Sequence, residues 1–278
     1  MPDNTDDLSL LIDAARLAGQ VATSFAGLSA KRWDKARGAG PVTEADLAVN
    51  AMLEHTLRSA RPDYGWLSEE TEDSARRLTH EHVFIVDPID GTRSFIEGSR
   101  TWAHSLAIAR NGRVVAGVVF LPLRDKLYAA ALGRGAWLNG AAITASATAD
   151  PGTANILAAK PTVQPDLWPG GLPGFQRAHR PSLAYRLGLV AQGRFDAMLT
   201  FRPSWEWDIA AGALIVTEAG GTCTDKSGAR LMFNNPVPQL NGVIASGAAL
   251  HDRLLGHLAP LDPRAKPTHP RMNPKPQE

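Results

Sequence analysis

The sequence predicts mixed α and β structure stacked in layers, and three observations carry that prediction. The chain opens with helical apolar periodicity, an Asn-Gly pair separates two apolar runs, and strand-like and helix-like stretches follow one another in no regular alternation. Over residues 8–22, apolar side chains recur at Leu10, Leu11, Ala14, Leu17, Ala18 and Val21, the spacing of an amphipathic helix. Thr43 and Asp46 form a Thr-x-x-Asp start signal ahead of Leu47, Val49, Met52, Leu53 and Leu57, which predicts a second helix. The stretch between them, 31–41, is glycine-rich and basic and reads as a mobile loop.

Residues 83–86 are apolar and end in Asp87-Pro88, which predicts a strand buried on both faces that stops at its proline. Residues 105–109 and 114–120 flank Asn111-Gly112, two residues that tolerate positive φ, so an antiparallel hairpin is expected. A strand over 126–132, a helix over 182–192, a strand over 195–201 and a helix over 208–219 closed by Gly220-Gly221 complete the prediction. The proline- and glycine-rich stretch 161–174 is expected to join an amino-terminal half, 1–160, to a carboxy-terminal half, 175–260. The proline-rich, basic segment 261–278 has little to bury and is expected to be a disordered tail.

At 278 residues and 44% hydrophobic content, the chain can bury a substantial core without cross-links. Its formal net charge of +1 gives no global field of the kind that draws a protein onto nucleic acid or anionic lipid, so a small charged metabolite is the expected partner. The single cysteine, Cys223, cannot form an internal disulfide and reads as a small buried residue. The acidic amino terminus lacks the positive charge of a secretion signal and no apolar run reaches membrane-span length, so a cytoplasmic location is expected.

The chemistry concentrates in Asp87-Pro88-Ile89-Asp90-Gly91-Thr92, just after the buried strand. Two carboxylates three residues apart on a turn can converge on one point, where like charges either take up a proton or bind a cation. Oxygen donors without neighbouring Cys or His suit a hard ion such as Mg²⁺. A helix beginning at Gly91-Thr92 would offer free amides to a phosphate, and Glu69 or Glu70 from the upstream GWLSEE segment could fold back as a ligand.

These residues, together with PVTEAD at 41–46, SEE at 68–70, VDPIDGTRSF at 86–95 and WDIAAGALIVTEAGG at 207–221, resemble the inositol monophosphatase superfamily, the lithium-sensitive phosphatases. The four blocks occur in the family's order and span about two-thirds of the chain. The resemblance implies an α-β-α-β-α layered sandwich, usual homodimerisation, inhibition by lithium and calcium, and phosphate-ester hydrolysis assisted by two or three Mg²⁺ ions. It implies Glu69, Asp87 and the Ile89 carbonyl as ligands of a first ion, and Asp87, Asp90 and Asp208 as ligands of a second. Asp46 and Thr92 resemble the pair that polarises the attacking water, with Glu69 assisting, and the Gly91 and Thr92 amides resemble the phosphate cradle.

Read alone, Asp46 is explained as a helix-start residue and Asp208 as a cap for a helix beginning at Ile209. Glu70 reads as a solvated neighbour, His104 as a core or rim histidine, His80 and His82 as surface residues, and Trp205 as core or pocket lining. Arg180-Pro181-Ser182 departs from the family's usual Gly-Ser or Gly-Thr pair, which alters the part of the site that grips the substrate's body. Arg93 adds a positive charge where the bisphosphate nucleotidase branch commonly has lysine. The expected reaction is therefore 3′-phosphoadenosine 5′-phosphate to AMP, with inositol 1-phosphate and histidinol phosphate as alternative substrates and a non-catalytic ligand-binding regulator as the alternative class.

Overall fold

The computed structural model describes residues 4–25, 28–35 and 40–258. α1 (Asn4–Ser24) and α2 (Glu44–Ala60) are linked through a short antiparallel ribbon, β1 (Arg32–Asp34) with β2 (Pro41–Thr43). Part of the stretch read as a loop is therefore an ordered ribbon, whose two strands pair Arg32 with Thr43 and Asp34 with Pro41. Its residues 36–39 lie outside the described ones.

A seven-stranded sheet follows in chain order: β3 (Gly65–Ser68), β4 (His82–Asp90), β5 (Ala103–Arg110), β6 (Arg113–Leu121), β7 (Lys126–Ala131), β8 (Gly135–Leu138) and β9 (Ala141–Ala142), with the short α3 (Thr92–Ile96) after β4. Only β3 and β4 are parallel. The β5–β6 hairpin turns at Asn111 and Gly112, with φ of 50° and 78° as a tight turn requires.

The rest of the chain supplies β10 (Asn155–Ala158), β11 (Gln176–Ala178), α4 (Leu183–Ala191), β12 (Ala197–Thr200), β13 (Ser204–Trp205), α5 (Glu206–Glu218), β14 (Gly221–Thr224), β15 (Gln239–Leu240), β16 (Val243–Gly247) and α6 (Ala248–His257). A five-stranded mixed sheet has the order β11-β10-β12-β16-β14, and β13 pairs with β15 beside it.

Three apolar cores define the stacking. α1 and α2 cover one face of the seven-stranded sheet through Leu11, Val49 and Leu53 against Phe84, Val86 and Ile108. α4 and α5 fill the space between the two sheets, with Val83, Ile85 and Ala107 on one side and Leu157, Met198 and Ala245 on the other. α6 packs on the outer face of the five-stranded sheet through Leu250 and Leu254 against Ile156, Leu199 and Ile244. Neighbouring residues of one strand thus enter different cores, the period-two signature of a sheet covered on both faces, and the layers run α-β-α-β-α. α5 lies close on β6 because Gly117 faces it: a Cβ there would stand 3.0 Å from the Ala211 Cα and carbonyl oxygen.

β4 does not stop at Pro88. It continues to Asp90, which pairs with Ala103 after a register shift between Asp87 and Asp90. Pro88 lies in that irregularity, where the ladder needs no amide from it. α5 begins at Glu206 with Trp205 as its cap, so Asp208 lies in the first turn and does not cap a helix starting at Ile209. The 261–278 tail lies outside the described residues.

Candidate active site

The register shift in β4 turns two acids inward. Asp87 and Asp90 are both buried, and the Ile89 amide donates to Asp87 Oδ1 at 3.0 Å. The Pro88 carbonyl accepts from His104 Nδ1 on the neighbouring strand, which pins the turn from behind. Burial pushes His104 down to about 4, with the Pro88 bond working against this, so the ring is neutral at physiological pH. Gly91, at φ 100°, reverses the chain and caps α3 in a conformation that costs a residue with a Cβ roughly 1–2 kcal/mol.

Other elements deliver the remaining groups. β3 runs parallel to β4 with Ser68 beside Val86, and the Glu69 amide donates to the Val86 carbonyl at 3.2 Å, so the end of β3 opens beside the end of β4. α5 is tied to β5 where Ser105 Oγ donates to the Trp207 carbonyl at 2.8 Å, placing Asp208 over the same crevice. Carboxylate oxygens of Glu69, Asp87 and Asp208 lie within 4.8 Å of one another. Asp90 Oδ2 accepts from Ser182 Oγ and the Ala184 amide, both at 2.7 Å. Ser182 holds a φ of 65° to do so, and it also caps α4 through the Tyr185 amide at 3.0 Å. The Arg180-Pro181-Ser182 departure therefore still presents a hydroxyl to the site.

Asp46 does two things at once. Its carboxylate completes the capping box of α2 with Thr43, while its Oδ1 accepts from Thr92 Oγ1 at 3.1 Å; that hydroxyl also reaches the Ile89 carbonyl at 3.2 Å. Gly91 lies beside this pair. Arg93 is exposed on α3.

Loss of water raises Asp87 and Asp208 well above the usual carboxylate range. Glu69 and Asp90 add repulsion at Asp87, and Asp90 and Glu69 add it at Asp208, which Arg202 partly offsets. Burial lifts Asp90 to about 6 against the bonds from Ser182 and Ala184, and burial raises Asp46 despite its bonds to Thr43. Glu69, Asp87 and Asp208, with Asp90 adding its repulsion to both aspartates, form an oxygen-only donor set suited to hard divalent ions. The outer edge of the cluster already carries a cation: Lys35 Nζ stands 2.7 Å from Glu69 Oε1 and 2.6 Å from Glu70 Oε1. Burial opposes the Lys35 charge, but Glu69 and Glu70 outweigh it and raise its pKa.

A folded-state carboxylate held above its unfolded value retains a proton that the unfolded chain releases. The contribution of these three groups to the stability of the metal-free fold is therefore fully present at low pH and is lost as pH rises through about 6 for Asp90 and higher for Asp87 and Asp208. The gain in melting temperature on adding Mg²⁺ to chelator-treated protein should be small near pH 5 and large near pH 8. A gain independent of pH would contradict the buried cluster.

Glu70 is not a solvated neighbour. Its side chain is 5% exposed, bonds Lys35, and is pushed up to about 7, chiefly by burial. His82 stacks on Tyr64 at 4.6 Å, and His80 Nδ1 meets the Asp63 carbonyl at 2.8 Å, so both are half-buried. Trp205 is exposed and stacks on the buried Trp207 at 4.7 Å. Cys223 is half-buried on β14, with burial pushing its thiol up to about 12. Lys35, Ala184 and the anchoring role of His104 escaped the sequence reading: a lysine in a basic ribbon and a histidine in an apolar strand carry no local signature of what they touch.

A layered mixed-sheet fold whose buried acids converge on a strand-to-helix turn, beside a hydroxyl–carboxylate pair, defines a metal-dependent phosphatase. The description of the inositol monophosphatase family matches residues 3–261, and the chain belongs to that family of phosphoric monoester hydrolases. It is 34% identical over 237 residues to the inositol-1-monophosphatase of Rhizobium meliloti, covering 80% of this chain and 86% of the relative. It is 33% identical to the Nus factor SuhB of Pseudomonas aeruginosa, over 80% of this chain and 86% of the relative. The solved IMPase of Thermotoga maritima superposes with a TM-score of 0.77 at 29% identity, covering 90% of this chain and 96% of that one. No helix among the described residues is long and apolar enough to cross a membrane.

Proposed function

We propose that the chain hydrolyses a small phosphate monoester, with Glu69, Asp87, the Ile89 carbonyl, Asp90 and Asp208 holding two or three Mg²⁺ ions. The observation that carries this is the meeting of Glu69, Asp87 and Asp208 oxygens within 4.8 Å, where burial and mutual repulsion oppose the charged forms of Asp87 and Asp208 unless a cation joins them. When bound, such ions supply a water of lowered pKa and neutralise charge on the phosphoryl oxygens.

The chain's own groups do the rest. Asp46 Oδ2 is engaged by Thr43, which leaves Oδ1 for Thr92. Thr92 is thereby oriented to accept from the attacking water, and Asp46 to hold the proton passed through that hydroxyl. The Gly91 and Thr92 amides, at the start of α3 where no carbonyl of that helix can reach them, are donors for phosphoryl oxygens. Ser182 and Ala184 keep Asp90 from swinging away.

For the ester itself, the name of the Rhizobium relative supports inositol 1-phosphate. A 3′(2′),5′-bisphosphate nucleotide is supported by the positive charges around the crevice, and histidinol phosphate completes the set. The test is phosphate release from these three esters. Turnover of at least one with Mg²⁺, and of none after chelation, is the expected result; activity that survives chelation would contradict the proposal.

A further inference from the structure

Asp208 reaches the crevice from the first turn of α5, and helix ends are where a helix frays most easily. Trp205, the residue before that turn, gives it no side-chain hydrogen bond. The turn is also under load, because Asp90 and Glu69 both repel Asp208. One tie that resists this load is the bond from Ser105 Oγ to the Trp207 carbonyl. A second comes from a buried polar network.

Glu206, two residues before Asp208, is wholly buried. Its carboxylate accepts from the Asn234 amide at 2.6 Å, the Asn235 amide at 2.9 Å and Asn235 Nδ2 at 2.7 Å, while its own amide donates to the Pro238 carbonyl at 3.0 Å. The start of α5 is therefore seated on the 234–238 loop through both side chain and main chain. Arg77 holds that loop in turn: its Nη1 donates to Asn234 Oδ1 at 2.6 Å and its Nη2 to the Asn235 carbonyl at 2.9 Å.

Arg77 lies in the connection from β3 to β4, in a short 3₁₀ turn (Ala75–Thr79) downstream of Glu69 and Glu70. Its Nε and Nη2 meet the two oxygens of Asp73 at 2.6 and 2.9 Å, a bidentate pair that fixes the plane of the guanidinium. β3 packs close behind, since a Cβ on Gly65 would stand 3.2 Å from the Arg77 Cα. The bonds thus run from the β3–β4 wall, which supplies Glu69, through Arg77, the two asparagines and Glu206 to the turn that carries Asp208. Among the described residues Arg77 bonds no acid of the cluster, so its effect on the cluster is through geometry.

We propose that Arg77 is a positioning residue for the metal site: through Asn234, Asn235 and Glu206 it keeps Asp208 beside Glu69 and Asp87, against the repulsion of its neighbours. The assignment rests on the phosphatase reading above and adds to it a residue that sets affinity for the ion. The planar fork is required, because an ammonium on a single stem cannot grip Asp73 and both asparagines at once.

Calorimetric titration of Mg²⁺ into the chelator-treated full chain, without substrate, tests this. Arg77→Lys keeps the charge and should weaken Mg²⁺ binding by ~10-fold, the lower end of the effect of partners that orient metal ligands. Asn234→Gly suits the φ of 61° and keeps the amide that bonds Glu206, yet removes the Arg77 contact, and should weaken binding in the same direction. The Mg²⁺-induced gain in melting temperature should shrink with it. Arg61→Lys, which loosens the Arg61–Asp7 pair at the far end of α2 from Asp46, should leave Mg²⁺ affinity unchanged. Melting curves in chelator establish folding, and Asn234→Gly decides alone if Arg77→Lys does not fold.

Unchanged Mg²⁺ affinity in the folded variants would overturn the positioning role. An equal loss in Arg61→Lys would do the same, by tracing the effect to general destabilisation. Absence of Mg²⁺ binding by the unaltered chain would overturn the metal-dependent reading beneath it.

Discussion

Asp87→Asn should yield a folded protein that no longer releases phosphate from any ester, with kcat lowered by at least ~10²–10³-fold at every Mg²⁺ concentration. Asp87 lies deepest in the cluster, with Glu69, Asp90 and Asp208 all repelling it. The amide has nearly the carboxylate's shape, and its oxygen can still accept from the Ile89 amide, so local geometry survives. One negative charge fewer relieves the repulsion, and the melting temperature in chelator should hold or rise. The same charge is what a divalent ion would be held by, so the Mg²⁺-induced gain in melting temperature should shrink. Asp90→Asn should likewise lose turnover, since its amide oxygen can keep the Ser182 and Ala184 bonds while the charge goes. Full activity with a preserved Mg²⁺ response in Asp87→Asn would show that the acids are merely neighbours.

Thr92→Val is the second large effect. It removes a hydroxyl and leaves the shape, so the two bonds from Thr92 Oγ1 to Asp46 and to the Ile89 carbonyl are lost without a cavity. If Thr92 relays a proton to Asp46, kcat should fall by ~10²–10⁴-fold with KM nearly unchanged, because the group acts on the water and not on the ester. The mirror variant at Asp46 is less clean: it also breaks the capping box of α2 and should cost ~0.5–2 kcal/mol of stability. A rise in KM at constant kcat in Thr92→Val would make the hydroxyl a binding contact instead.

The sequence carried the elements whose cause is local. The Thr43–Asp46 start of α2, the Asn111-Gly112 turn and the apolar run before Asp87 each follow from a few adjacent residues, and each formed where expected. Elements set by distant partners were less legible. β4 runs past Pro88 because β5 offers Ala103 to Asp90 after a register shift, and α5 starts at Glu206 because that carboxylate is buried against the Asn234 and Asn235 amides at 2.6 and 2.9 Å. Nothing near Glu206 in the chain announces those partners. The acids of the site were readable as a motif, whereas their electrostatic surroundings were not. Lys35 reaches Glu69 and Glu70 from a ribbon that looked featureless, and Glu70 lost its water to that contact.

The helix layer of α4 and α5 serves both sheets as common filling, and Gly117 lets α5 settle against β6 without clearance. The two walls that present Asp87 and Asp208 are in consequence one masonry and not a pair of jaws. Prising them apart would break the central core, and at the rim of the crevice Lys35, just past the end of β1, fastens itself to Glu69 and Glu70.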